Sequence, residues 1–205
     1  MTLELDPAFL PATLTGYPMT DDDFAAFCAE HPDLSFETTA EGEIIVMPPN
    51  FSRTGVRNSR ITGQLDPWAY NDGRGFACDS STGFVLPNGA RRSPDAAWVL
   101  ISRTEQLDEE SLDKYWHLCP DFVIELRSPT DRSKALKAKM REWIDNGAQL
   151  GWLIDPQARS VTIYRADRSE ETRANIDSIA GEGLMEGFVL DLTRVWNPMG
   201  RTAAQ

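Results

Sequence analysis

Two hydrophobic periods take turns along this chain, and their order predicts its elements. In "MTDDDFAAFCAEHP" apolar residues recur at helical spacing behind Thr20, a good N-cap, with Asp23 in a capping-box-like position. "SFETTAEGEIIVMPP" changes to strand-like alternation and predicts a hairpin that turns at Glu41-Gly42 and ends at Pro48-Pro49. Residues ~52–70 return to the helical period, with Ile61, Leu65, Trp68 and Ala69 on one stripe. "GFVLPNGARRSPDAAWVLIS" predicts two strands around the turn "PNG", the second from about Ala96 to Ile101. Residues 103–117 are acidic and predict a short helix. "DFVIEL" is a predicted strand, and residues ~131–147 a helix closed by Asn146-Gly147. "LGWLIDP" and "SVTIYR" follow as strands joined at Pro156, and "GEGLMEGFVLDLTRVW" adds short strands and turns. The three glycines of that tail do not match a dinucleotide fingerprint.

Helices alternating with groups of strands predict an α/β (α+β) fold: a mixed β-sheet flanked by helices. At 205 residues the chain is large enough for one domain with a real core, spanning 1–205, with a short acidic helical segment, 1–34, packed on it. Its 41% hydrophobic and 25% charged residues are ordinary for a globular protein. No apolar run approaches the ~20 residues that cross a bilayer, and the N-terminus lacks the basic and apolar regions of a signal peptide. The expectation is a soluble, cytoplasmic protein without a membrane partner. Cys28, Cys78 and Cys119 are odd in number and have no CxxC spacing, so buried free thiols are expected. His31 and His117 lack the HExxH or HxxxH pattern of a metal site.

A net charge of −12 argues against broad, salt-driven binding of nucleic acid. The distribution is uneven, however. Residues 1–50 hold ten acids and no lysine or arginine, whereas residues 127–141 hold six basic residues against Asp131 alone. Such a strip is either a solvated helix face or a local contact for a polyanion.

Glu125 raises the chemical question, because a carboxylate at the centre of a strand is costly to desolvate without a partner. Alternation puts Val123, Glu125 and Arg127 on one face and Phe122, Ile124 and Leu126 on the other. Asp95, fixed by Pro94 at the start of a neighbouring strand, could converge with Glu125 on a hard cation. On the following helix Leu136, Met140, Trp143, Ile144 and Gly147 form the sheet-facing stripe. Lys137 and Lys139 flank it on opposite sides, Lys134 points away, and periodicity cannot choose between the two flanking lysines. On residues alone, a structural ion pair explains two acids and a lysine as well as a site does. A carboxylate-pair glycosidase is a further reading, against which the lysine speaks.

The segments "GEIIVMPP", "SSTGFVLPNGARRSPDAAWV", "PDFVIELRSPTD", "KMREWIDNGAQLGWLIDP", "VTIYR" and "GFVLDL", in that order, cover nearly the whole chain. Together they resemble the Uma2 family of restriction-endonuclease-like proteins, in the PD-(D/E)xK nuclease superfamily. The resemblance implies that Asp95 is the aspartate of the PD motif and Glu125 the second acid, both ligands of Mg²⁺ or Mn²⁺, with the Leu126 carbonyl as a further oxygen. The superfamily's lysine usually stands two residues after that acid, where this chain has Arg127. Arginine cannot activate water but can stabilise phosphate charge, so Arg127 is an accessory candidate. The resemblance moves the lysine to the next helix, at Lys139. Glu43 matches a family acid and is a second accessory candidate. Asn58 or Ser59 falls where Uma2-like sequences often carry a histidine. Asp121, in a second "PD", is a weaker candidate than Asp95.

The activity implied is metal-assisted phosphodiester hydrolysis by an endonuclease, with DNA the expected nucleic acid. The alternative is a catalytically inactive nuclease fold serving as a DNA-associated module, which the acidic charge and Arg127 favour. A homodimer suits the cutting of two strands, although no residue here requires one.

Overall fold

The computed structural model describes residues 10–15, 19–47 and 51–200. The hairpin's predicted end at Pro48-Pro49 and the start of the N-terminal segment lie outside them.

The N-terminal half supplies a small sheet and two helices. β1 (Ala12–Leu14), β2 (Ser35–Thr38) and β3 (Ile44–Met47) pair antiparallel, and α1 (Asp21–Glu30) lies between β1 and β2 in the chain. Thr20 caps α1 by accepting from the Asp23 amide at 3.1 Å, which satisfies one of the free donors of the first turn. Phe24 and Phe27 then pack with Phe36, Ile44 and Val46 into a separate apolar cluster. α2 (Ser52–Asp72) follows and ends at Gly73, whose φ of 72° closes the helix in the left-handed conformation.

The larger sheet has six strands, in the order β11-β10-β9-β8-β7-β4. These are β4 (Gly75–Asp79), β7 (Ala96–Leu100), β8 (Phe122–Leu126), β9 (Leu150–Asp155), β10 (Ser160–Arg165) and β11 (Glu170–Ala174). All pairs are antiparallel except β8 with β9, which α5 (Ser133–Asp145) connects as a crossover. Strand alternation divides the core. Phe122, Ile124 and Leu126 face α2 and the C-terminal hairpin of β12 (Ser178–Ala180) and β13 (Val189–Asp191), whereas Val123 faces Met140 and Trp143 of α5. α5 sits close to the sheet at Gly151, where an added Cβ would lie 2.6 Å from Met140 Cε and 3.3 Å from Val123 Cγ2.

The segment around "PNG" departs from the sequence expectation. The strands flanking that turn are only β5 (Phe84–Val85) and β6 (Arg91–Arg92), and both belong to the small sheet. Ala96–Leu100 is not their partner but a strand of the large sheet. Ser93-Pro94 is where the chain changes sheets. Proline has no N–H to offer a ladder, so pairing stops there. The acidic stretch 103–117 holds two short helical turns, α3 (Ile101–Thr104) reaching into it and α4 (Glu109–Leu112) within it, rather than one helix. α6 (Thr193–Trp196) ends the described fold. Edge strand β11 escaped the pattern because it buries none of its residues and is held by its ladder to β10 and by a Thr162–Thr172 hydroxyl contact at 2.9 Å.

Trp152, fully buried between Phe122 and Phe188, anchors the α2 side of the sheet. Trp152→Ala should cost ~3–5 kcal/mol in urea unfolding, the usual range for large-to-small changes at buried aromatics. A cost below ~1 kcal/mol would show that this core layer is not what holds the sheet.

Candidate active site

Where the two sheets meet, a cavity of about 770 Å³ opens between β2, the Ser93-Pro94 switch, the end of β8 and α5. Asp95, Glu125, Lys139 and Glu37 all line it. Register brings the first two together. Ala96 pairs with Ile124, so the same antiparallel count extended by one residue sets Asp95 opposite Glu125. Residues directly opposite share a face, with Cβ atoms typically ~4.5–5.5 Å apart. The Leu126 amide donates to Asp95 Oδ2 at 2.7 Å, and Asn58 Nδ2 of α2 donates to Oδ1 at 2.7 Å, which fixes the carboxylate.

Glu125 is 3% exposed and points to the α5 face. Its Oε1 accepts from Trp143 Nε1 at 2.9 Å and pairs with Lys139 Nζ at 2.8 Å; Oε2 accepts from none of the described residues. Lys139 also donates to Glu37 Oε1 at 2.7 Å and to the Ser93 carbonyl at 3.1 Å. Its ammonium thus joins the two sheets. Lys134 and Lys137 are exposed, so of the three helix lysines Lys139 alone enters the cavity.

Glu37 is the residue that sequence reasoning missed. It is 2% exposed and is held by Lys139, by Arg92 Nη1 at 3.1 Å and by the Ser93 amide at 3.0 Å. Arg92 in turn pairs with Glu142 at 2.6 Å. Alternation in "SFET" sets Glu37 with Ser35 on the face opposite Phe36, so nothing in the strand pattern marked it as buried. Glu43, the accessory candidate, stands instead beside the β2–β3 turn, where its amide donates to Thr39 Oγ1 at 3.2 Å, and does not line the cavity. Arg127 also lies apart from it, in an ion pair with Asp155 at 2.6 Å. Asp121 serves the far end of β8, accepting from the Leu100 amide and from Arg103, both at 3.0 Å.

The electrostatics follow from burial. Burial pushes the Glu125 carboxyl up to about 7; Lys139 opposes this, while the charges of Asp95 and Glu37 add to it. Burial also raises Asp95, against the Leu126 amide and the charge of Lys139. For Glu37 burial again pushes upward, but Lys139 and Arg92 outweigh it and hold the group below the ordinary value. Lys139 is lowered by burial and raised further by Glu125 and Glu37, so it remains a fixed cation.

A divalent cation suits this donor set. Four carboxylates, Glu37, Asp95, Glu125 and Glu142, face two cations, Arg92 and Lys139, which leaves an excess of negative charge in a buried place. Among the described residues no three His, Cys, Asp or Glu side chains are grouped to enclose an ion. Two carboxylates completed by water and phosphate oxygens are the usual arrangement for Mg²⁺, whereas Zn²⁺ demands a fuller set of protein ligands.

Two variants test this charge balance in metal-free buffer. A carboxyl raised in the folded state stabilises the fold below its ordinary pKa of 4.5, and that contribution is lost as pH rises through about 7. The melting temperature should therefore fall between about pH 5 and about pH 8, and Glu125→Gln should remove part of the fall. An unchanged profile in Glu125→Gln would mean that this carboxyl is ionised throughout. Lys139→Met should cost ~3–5 kcal/mol in chemical denaturation, because it removes the cation paired with Glu125 in the interior and leaves Glu37 to Arg92 and the Ser93 amide.

Comparison with known proteins gives two results. A family model described as "Uma2: Putative restriction endonuclease" matches residues 21–193. A crystal structure described as a putative nuclease belonging to DUF820, from Anabaena variabilis, superposes with a TM-score of 0.70 at 20% identity. That match covers 88% of this chain and 98% of the other, and it establishes a shared fold. No curated protein matches the chain.

Proposed function

The chain belongs to the Uma2 family, and from that premise we propose that it is a metal-dependent endonuclease that hydrolyses phosphodiester bonds, with DNA as substrate. One observation carries the reading: Asp95 and Glu125, opposite each other in register, face a cavity in which Lys139 is already paired with Glu125. Asp95 and Glu125 would hold Mg²⁺ or Mn²⁺, which when bound polarises a phosphate oxygen and lowers the pKa of a bound water.

The chain's own residues supply the rest. Asn58 and the Leu126 amide orient Asp95, so that its carboxylate is in place before substrate arrives. Trp143 does the same for Glu125 through Oε1, and Glu125 lines the cavity. Lys139 is held protonated by two carboxylates and cannot act as a base; its part is to offset charge that develops on phosphate. Glu37 keeps that ammonium at the rim between the sheets rather than buried on Glu125 alone. Arg127, committed to Asp155, takes no part.

Incubation of supercoiled and linear DNA with Mn²⁺ should give cleavage that EDTA stops. Asp95→Ala should lower the rate at least ~100-fold while keeping the circular dichroism spectrum, since a bound cation contributes several kcal/mol to such a reaction. Cleavage undiminished in Asp95→Ala would sink the assignment of the site. The inactive-module reading makes the opposite forecast. DNA would bind, nothing would be cut, and Mn²⁺ would leave the wild-type melting temperature unchanged.

A further inference from the structure

The chain carries 32 acids, yet residues 44–65 contain none. Within that stretch α2 presents Arg53, Arg57 and Arg60, spaced i, i+4 and i+7, which places them along one flank of the helix. Thr54, Asn58, Ile61 and Leu65 form the buried stripe beside them. Nearly every other arginine among the described residues pairs with a carboxylate, such as Arg74 with Asp72, Arg103 with Asp121 and Arg127 with Asp155. None of the three on α2 has an acidic partner among the described residues. Arg57 Nε donates to the Val195 carbonyl at 2.9 Å, a neutral acceptor. Burial, and then the charge of Arg53 nearby, hold its pKa below the ordinary arginine value. Uncompensated like charges held side by side in an acidic protein are a cost to the fold unless an anion occupies them.

Position relates this stripe to the candidate site. Asn58, next to Arg57, donates to Asp95, and Phe51, which precedes Ser52 at the start of α2 and is 59% exposed, lines the acidic cavity. Arg53 and Arg57 line a second hollow, of about 420 Å³, together with Trp196 and Met199. From Arg53 to Arg60 the helix rises ~10.5 Å, which matches about three phosphate-to-phosphate steps of one duplex strand, ~3.4 Å each along the axis.

We infer that the Arg53–Arg57–Arg60 flank of α2 carries the phosphodiester backbone of the nucleic acid next to the position cleaved, with Phe51 as an apolar step between that track and the cavity. The inference rests on the endonuclease reading for its substrate, but it concerns binding and is tested without cleavage. It also displaces the strip at 127–141 as the contact for a polyanion. In that strip Arg127 and Arg141 are paired with Asp155 and Glu170, and Lys139 is inside the site.

Two matched double variants decide the matter. Arg53→Gln/Arg60→Gln and Lys134→Gln/Lys137→Gln each remove two exposed cations, from α2 and α5 respectively; none of the four forms a salt bridge among the described residues, although the charge of Lys137 is felt by Glu170. Fluorescence anisotropy with a labelled 20-mer, single-stranded and duplex, is followed in EDTA over a range of NaCl concentrations. For the α2 pair the slope of log K against log salt on duplex should flatten by ~1.8, with Kd on the order of 10- to 50-fold weaker near 0.1 M. The α5 pair should leave both unchanged, and thermal melts should show both variants folded. Equal loss from the two pairs, loss from the α5 pair alone, or no binding by the wild type would overturn the inference. Failure of the endonuclease reading would look different, since the wild type would then bind through α2 yet leave DNA uncut with Mn²⁺.

Discussion

One ammonium group touches both layers of this protein at the place where they form a cavity. Lys139 comes from the helix that crosses over the large sheet, and its partners come from a strand of each sheet: Glu125 from the large one and Glu37 from the small one. Apolar packing joins them at one edge, where Phe84 of β5 meets Trp143 of α5, while the β2–β3 end of the small sheet keeps its own cluster around Phe24 and Phe36. Buried ion pairs are weak sources of stability but strong sources of specificity in some proteins, since a misplaced layer would leave charge stranded. Here the same cluster that fixes the layers also fixes the carboxylates of the cavity. The constraint that shapes the fold and the chemistry offered to a ligand are one arrangement.

Much of that arrangement was legible in the sequence, for identifiable reasons. The face of Glu125 followed from strand alternation alone, and the stripe of Met140, Trp143 and Ile144 followed from the helical period. Which lysine enters did not follow, because Lys137 and Lys139 are equivalent by angle. The difference lies in what each flank meets: Ser93 and Glu37 come forward on the Lys139 side from a separate sheet. Glu37 was invisible for the same reason. A glutamate in a four-residue strand looks like an ordinary polar position until a second layer covers it. Charge counting misled in a similar way, because three of the six basic residues close in sequence, Arg127, Lys139 and Arg141, went to separate carboxylates, while three arginines spaced along α2 escaped notice.

The Pro94 switch is the least predictable feature and among the most consequential. In "RRSPDAAW" the proline marks the entry to the second strand, but nothing in the sequence says that the residues on its two sides pair into different sheets. The structure uses the break to send Arg92 to the small sheet and Asp95 to the large one, three residues apart. One short segment thereby supplies both Arg92, which anchors Glu37, and Asp95 itself. Their spacing is set by covalent geometry, and helix or sheet packing need only agree with it.

The sequence separation of 102 between Glu37 and Lys139 has a meaning for synthesis as well as for structure. Chains emerge from the ribosome N-terminus first. Glu37, Asp95 and Glu125 are all made before the cation that two of them share. Until α5 has left the exit tunnel, joining the sheets would bury acids with no lysine to meet them, so water remains their better solvent. In the order of synthesis, the cation that Glu37 and Glu125 share comes last of the cluster.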